Sequence, residues 1–205
     1  SLEHGAVAAV AEELELDATG KPRASRFRGE SRPLVAVNET YTVGRGATAR
    51  TEMWPRYTTF DGRWIASIEG RPATRMTVAP AGQSVVNVQG QLIIPADTNG
   101  DGKISAVSFD YVGFDVNNLF NALQGFENAQ TVEQAREAQR GFVAFAQNFV
   151  FADSAGRVHY SGYTATPCRG YLPRTGGVWE AGADPRRLLD GTRYGAFSIP
   201  LLANG

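Results

Sequence analysis

Residues Asp97-Thr98-Asn99-Gly100-Asp101-Gly102-Lys103-Ile104-Ser105 carry the sharpest chemical signal in the chain. Their spacing fits the opening positions of an EF-hand calcium loop. Calcium takes roughly six to eight oxygens, and carboxylate or amide oxygens on alternate residues can converge on one ion. Asp97, Asn99 and Asp101 supply such oxygens, Lys103 offers its carbonyl, Ser105 offers its hydroxyl, and Gly102 permits the sharp turn. The departure is at the last position of the loop, where Ser108 replaces the bidentate glutamate. Asp110 or another carboxylate would have to make up that loss. The flanks also read as strands rather than helices. Two outcomes stay open. One is a structural calcium ion, held by Asp97, Asn99, Asp101, Lys103 and Ser105, that stiffens the loop and has no catalytic task. The other is an Asp/Asn/Gly hairpin turn that binds nothing.

Other chemistries find less support. A serine-histidine-acid triad would need His4 or His159. His159 lies in a strand pattern among exposed-face residues, which suits a surface or packing role. The patterns G-x-S-x-G, H-E-x-x-H and C-x-x-C are absent, and so is a phosphate loop. Cys168 is the single cysteine, so no internal disulfide forms. It is a free thiol or pairs with a partner outside this chain. Trp54, Tyr57, Phe60 and Trp64 cluster on β-like segments. Core and edge packing explains them more economically than a ligand platform.

The elements that must position these residues follow from pattern. The chain has 205 residues and a formal net charge of -1, which suits one domain of ordinary size. A near-neutral balance gives no field for nucleic acid or an anionic membrane surface. No apolar run reaches the length of a membrane span. No signal peptide or initiator methionine is visible, so the chain reads as a processed chain or a cloned segment. Residues 1–115 are mainly β. Gly5 to Leu16 is ambiguous: Ala6 to Glu13 could be helical on propensity, whereas Leu14-Glu15-Leu16 alternates like a strand. Leu34–Val37, Thr40–Val43, Met76–Val78, Val85–Val88, Leu92–Ile94 and Ile104–Phe109 are strand candidates. Pro55 places Thr48–Thr59 at an edge or bulge. Asp61-Gly62 marks a hairpin between Tyr57–Phe60 and Trp64–Ile68.

Residues 116–174 read as two helices and a hairpin. Val116, Leu119, Phe120 and Leu123 line one face of the first helix. Thr131 and Gln134 have the spacing of a capping box that opens the second. Ala135, Ala138, Phe142, Phe145 and Ala146 follow on one face. Phe149–Ala152 reads as a strand, Asp153-Ser154-Ala155-Gly156 as a turn, and a second strand follows in which Val158, Tyr160 and Gly162 alternate with His159, Ser161 and Tyr163. Residues 175–205, rich in Gly, Pro and charge, read as an extended tail. The fold class is α+β: a β-rich first half, then two helices and an antiparallel hairpin.

The stretch Asn148–Tyr163 resembles the strand-turn-strand segment of the large subunit of penicillin acylases. The resemblance rests on Phe151-Ala152-Asp153, Gly156 and Tyr160. Pro167, Leu172-Pro173-Arg174, Gly177, Trp179 and Gly182 are similar to the proline- and tryptophan-bearing segment that follows in the family. Asp184–Gly191 and Tyr194-Gly195 resemble its more divergent branches. Glu13–Asp17 and Glu39–Val43 resemble two earlier strands. These enzymes are N-terminal-nucleophile amide hydrolases that include penicillin, acyl-homoserine-lactone and lipopeptide acylases.

The resemblance implies an interior segment of the large subunit, contributing to an αββα sandwich. It implies a scaffold portion of an amidase that splits an acyl group from an amine, with an acyl-amide small molecule as substrate. The family's partners would be the small subunit and the rest of the large subunit, and its usual location is periplasmic or secreted. Catalysis in the family uses an N-terminal serine, threonine or cysteine whose own α-amine takes the proton, and a backbone amide and an asparagine as oxyanion hole. Ser1 is followed by Leu2-Glu3-His4 rather than by the family's asparagine, so nucleophile and oxyanion hole are expected to lie outside this chain. The family's structural calcium uses aspartates whose place here, near Gly5–Ala9, holds no carboxylate. An isolated segment of this kind would leave apolar faces and edges uncovered and could dimerise. The competing reading is a non-enzymatic β-rich binding or structural module with a calcium-binding loop.

Overall fold

The computed structural model describes residues 7–114, 118–142, 148–162 and 167–197. The strands in chain order begin with β1 (Val7–Leu16), β2 (Pro22–Phe27), β3 (Glu30–Pro33), β4 (Val35–Val43) and β5 (Arg50–Thr58). Then come β6 (Trp64–Ile68), β7 (Gly70–Pro72), β8 (Val86–Val88), β9 (Gln91–Pro95) and β10 (Ile104–Tyr111). The helices α1 (Leu119–Asn128) and α2 (Val132–Gln139) follow. The chain continues through β11 (Phe149–Ala152), β12 (Val158–Ser161), β13 (Arg174–Thr175), β14 (Val178–Trp179) and β15 (Leu189–Asp190). This is the expected α+β succession. The chain forms two compact units, one of Ala8–Asp110 with Tyr171–Ala196, the other built on Tyr111–Gly170.

The first unit is built on an eight-stranded sheet of order β3-β2-β1-β10-β6-β5-β4, with β15 joined to β1. A three-stranded sheet, β7-β9-β8, belongs to the same unit. β1 is a strand despite its alanines, because Ala8, Val10, Glu12 and Leu14 alternate into the interior and its backbone bonds are met by neighbours. Leu14, Ile65, Ile68 and Ala106 of the large sheet cluster with Val86 and Val88 of the small one, and with Tyr57. Burying an aliphatic side chain of this size contributes about 1.5–3 kcal/mol. Leu34, Ile93 and Ile104 pack against that cluster.

Asp61-Gly62 forms the expected hairpin turn: the Gly62 amide donates to the Thr59 carbonyl at 3.0 Å and the Thr59 amide to the Arg63 carbonyl at 2.8 Å. Leu34–Val37 and Thr40–Val43 are not two strands. From Val35 to Val43 they are one strand, β4, which pairs with β5 without a break from Val35↔Thr58 to Val43↔Arg50, and Leu34 stands just before it. β5 meets β6 only at Thr58↔Trp64. Pro55, opposite Asn38, therefore sits where its outer side needs no ladder donor. Met76–Val78 is a correction. It is a turn and loop, not a strand, and Met76 is 92% exposed; Thr77 closes it by accepting the Thr74 amide. The tail contributes the hairpin of β13 and β14, and β15 runs parallel to β1.

In the second unit, Thr131 caps α2, its hydroxyl accepting the Gln134 amide at 3.2 Å. The Gln134 side chain reaches back to the Gln130 amide, one residue earlier than a capping box requires. α2 ends at Gln139, so the apolar row expected to continue through Phe145 and Ala146 outlasts it; those residues lie outside the described ones. α1 also buries a different face from the expected one. Phe120 is 85% exposed and Leu123 half exposed, whereas Ala122 is buried. Small residues decide this. A Cβ on Gly125 would lie 2.6 Å from the Ala138 Cβ, and one on Gly141 would lie 2.7 Å from the Ala122 Cβ. The helices cross where side chains are smallest. Val116 falls outside the described residues.

Candidate functional site

The loop Asp97–Ser105 is closed by its own carboxylates. Asp97 accepts the Gly100 amide through Oδ1 at 2.6 Å and the Gly102 amide through Oδ2 at 2.8 Å. Asn99 Oδ1 accepts the Asp101 amide at 3.0 Å, and Asp101 Oδ1 accepts the Lys103 amide at 2.9 Å. Gly100 and Gly102 both have positive φ, so a side chain at either would be strained. Asp97, Asn99 and Asp101 are thus brought onto one short loop. Lys103 sends its Nζ to Glu13 on β1 at 2.6 Å. Ser108, the residue in the glutamate's place, is wholly buried and donates its hydroxyl to Glu12.

The residue that sequence reasoning missed is Glu69, between β6 and β7. Its Oε1 accepts the Thr98 hydroxyl at 2.6 Å and the amides of Thr98 and Asn99, and its Oε2 accepts the Ser105 amide at 3.0 Å. The Thr98 hydroxyl and these amides pull its carboxyl down to about 2. Glu69 staples both ends of the loop. No local spacing signals it, because it stands 28 residues before Asp97 by numbering, 97 less 69. As a donor set for calcium, the loop offers Asp97 and Asp101 as carboxylates, then the Asn99 and Ser105 side chains and the Lys103 carbonyl. In this arrangement Asp97, Asn99 and Asp101 already accept amides of the loop itself. Among the described residues no group of three or more His, Cys, Asp or Glu side chains is arranged to hold a metal.

The aromatic residues do not form one platform. Trp64 stacks on Phe109, Phe60 leans on Phe27, and Trp54 meets Tyr41 edge-on. Trp54 and Tyr57 do line a groove of about 660 Å³ together with Met53, Pro55, Leu92 and Glu52. Glu52 is held there by Arg75, by the Trp54 indole and by Arg50, and Arg75 above all lowers its carboxyl to about 2. An acid so firmly ionised is a poor proton donor or base at neutral pH.

In the second unit, Asp153 is the hub of the β11–β12 hairpin. Its Oδ1 accepts the amides of Ala155 and Arg157, and its Oδ2 accepts Arg157 Nε at 2.7 Å and the Val132 amide at 3.4 Å. It thereby joins the turn to the start of α2. Gly156 takes the positive φ that closes the turn. Tyr160 donates its hydroxyl to Asn148 at 2.8 Å. Phe149 and Phe151 pack with Phe126 of α1 at ring separations of 5.4 and 5.3 Å. His159 lies flat against Phe151, with an interplanar angle of 4°. These are structural tasks, and they explain why Asp153, Gly156 and Tyr160 stand where they do. Cys168 is exposed and unpaired by disulfide. Ser1 and His4 lie outside the described residues.

Comparison with known proteins then fixes the lineage. A family model described as penicillin amidase matches residues 6–196. The chain belongs to the penicillin amidase family. Among solved structures, it is similar to a thermostable penicillin G acylase from Alcaligenes faecalis in an orthorhombic form. That likeness has a TM-score of 0.55 and 16% identity, and covers 96% of this chain. It shows a shared fold. The chain spans 27% of the length of that acylase. No curated protein sequence matches.

Proposed function

We propose that this chain is the framework portion of an amidase that hydrolyses the amide between an acyl group and an amine. The family match over residues 6–196 carries the reading, and the shared fold over nearly the whole chain supports it. In this proposal the nucleophile and oxyanion hole come from other stretches of the same acylase, which together complete an αββα sandwich. The small subunit and the rest of the large subunit are the partners, and the location is periplasmic or secreted. Residues such as Asp153, Glu69 and Phe126 hold strands and helices; none of them attacks the substrate. The test is hydrolysis of a chromogenic acyl-anilide. The isolated chain is expected to be inactive.

Calcium at the Asp97 loop is the finer part of the proposal. Asp97, Asn99 and Asp101 would hold the ion with the Lys103 carbonyl and Ser105, and the ion would supply rigidity alone. Glu69 already staples the loop through its amides, so binding in the weak, extracellular range is expected. Millimolar calcium should raise the melting temperature above that in chelator. An unchanged melting temperature removes the ion from the account.

A further inference from the structure

The alternation that makes β1 a strand also drives a carboxylate into the core. Ala8, Val10, Glu12 and Leu14 share the buried face. The Glu12 side chain has no solvent exposure, and neither has that of Arg63, whose Nη1 reaches Glu12 Oε1 at 2.7 Å. The same guanidinium serves a second acid. Arg63 Nε donates to Asp61 Oδ1 at 3.0 Å, and Asp61 also accepts the Thr59 hydroxyl and the Ala196 amide. One buried cation thus faces two carboxylates. Removing an ion from water is costly unless it is fully paired, so one of the two acids is the weaker-held.

Hydrogen bonds identify it. Asp61 has partners on both oxygens. Glu12 Oε2 has none among the described residues, nor have Arg63 Nη2 and Tyr194 Oη. Burial is the largest influence on Glu12 and outweighs Arg63 and Ser108, raising its carboxyl above the ordinary range. Burial also opposes ionisation of Asp61, but Arg63, Thr59 and the Ala196 amide outweigh it and lower that carboxyl. Asp61 and Asp190 both add to the negative field at Glu12. On the β2 side, Arg23 and Arg26 are bound to Glu15.

The lid over this cluster is the tail. Gly191 donates its amide to the Ala11 carbonyl, and a Cβ on Gly191 would lie 2.8 Å from Glu12 Oε2. Tyr194 gives its carbonyl to Arg63 Nη1 at 3.4 Å, and Ala196 gives its amide to Asp61. We propose that Glu12 is a proton-operated latch for residues 189–196, which dock over the sheet while its carboxyl is protonated and loosen when it ionises.

The sign follows from linkage. The docked state holds the Glu12 proton more tightly than the undocked state, where the carboxyl meets water. The Glu12 contribution to docking is therefore largest below the ordinary carboxylate value. It weakens by up to about tenfold per pH unit until the raised value is passed, and is constant above it. Asp61 stays ionised through that window and contributes no change.

Amide hydrogen exchange of the whole chain tests this, with protection factors read at Gly191, Tyr194 and Ala196. The wild type should lose protection at these amides as pH rises through the Glu12 titration. Protection at Gly62 and at the β4–β5 ribbon should hold. Glu12→Gln should keep the tail protected at every pH. Carbon NMR of the Glu12 carboxyl in the unmutated chain gives a second readout independent of any variant. Its inflection should lie above the ordinary range and coincide with the loss of protection. A Glu12 inflection at or below the ordinary range, or tail protection that does not follow it, would overturn the latch. So would an equal loss of protection in Glu12→Gln.

Discussion

Glu69 shows how a single carboxylate can substitute for a distant constraint. Three backbone amides and one hydroxyl converge on it, from both ends of the Asp97 loop. Its carboxyl is lowered to about 2 from about 4.5, so the stabilisation it gives is present above the ordinary value and is lost as pH falls toward the lowered one. Glu69→Gln should lower the melting temperature at neutral pH. The difference from the wild type should shrink as pH falls from about 4.5 to about 2. A pH-independent difference would show that shape, and not charge, holds the loop. The loop residues were legible in the sequence because aspartate, asparagine and glycine at fixed offsets have local meaning. Glu69 was not, since its role arises only when β6 and β10 are paired. Glu12 was hidden for a related reason: in the sequence it is one of two adjacent glutamates, and only the strand's alternation sends it inward.

Helices and hairpins divide along the same line. The β11–β12 hairpin and the Asp61-Gly62 turn were legible, because turn chemistry is local and the flanking residues favour strands. The packed face of α1 was not. Hydrophobicity pointed to Phe120 and Leu123, but close approach of α2 selects Gly125 and Ala122. Gly125→Leu should therefore destabilise the second unit by about 1–3 kcal/mol through overpacking against Ala138. Phe120→Ser, on the exposed side, should change stability by less than about 0.5 kcal/mol. Denaturant melts of the two variants check this, and the reverse ranking would mean that Phe120 is covered in solution. The strand expected at Met76–Val78 failed for a similar reason. Its residues favour a strand, but the Thr74–Thr77 turn ends pairing there.

At the scale of the molecule, apolar side chains stand uncovered on several elements. Met53 of β4's partner strand, Val150 and Tyr160 of the hairpin, and Phe120 of α1 are all exposed. β4 also presents a nine-residue edge beyond its pairing with β5. Surfaces of this kind mark interfaces or association sites. Light scattering of the isolated chain should show concentration-dependent association, and a clean monomer would count against uncovered framework. The same features fit a chain that spans 27% of the solved acylase it resembles.

The most direct measurement compares hydrolysis of a chromogenic acyl-anilide by this chain alone and by any longer polypeptide that contains it. The account predicts turnover only by the longer polypeptide. Turnover by the isolated chain that disappears in Ser1→Ala would contradict it, because the nucleophile would then reside in the stretch taken here for framework.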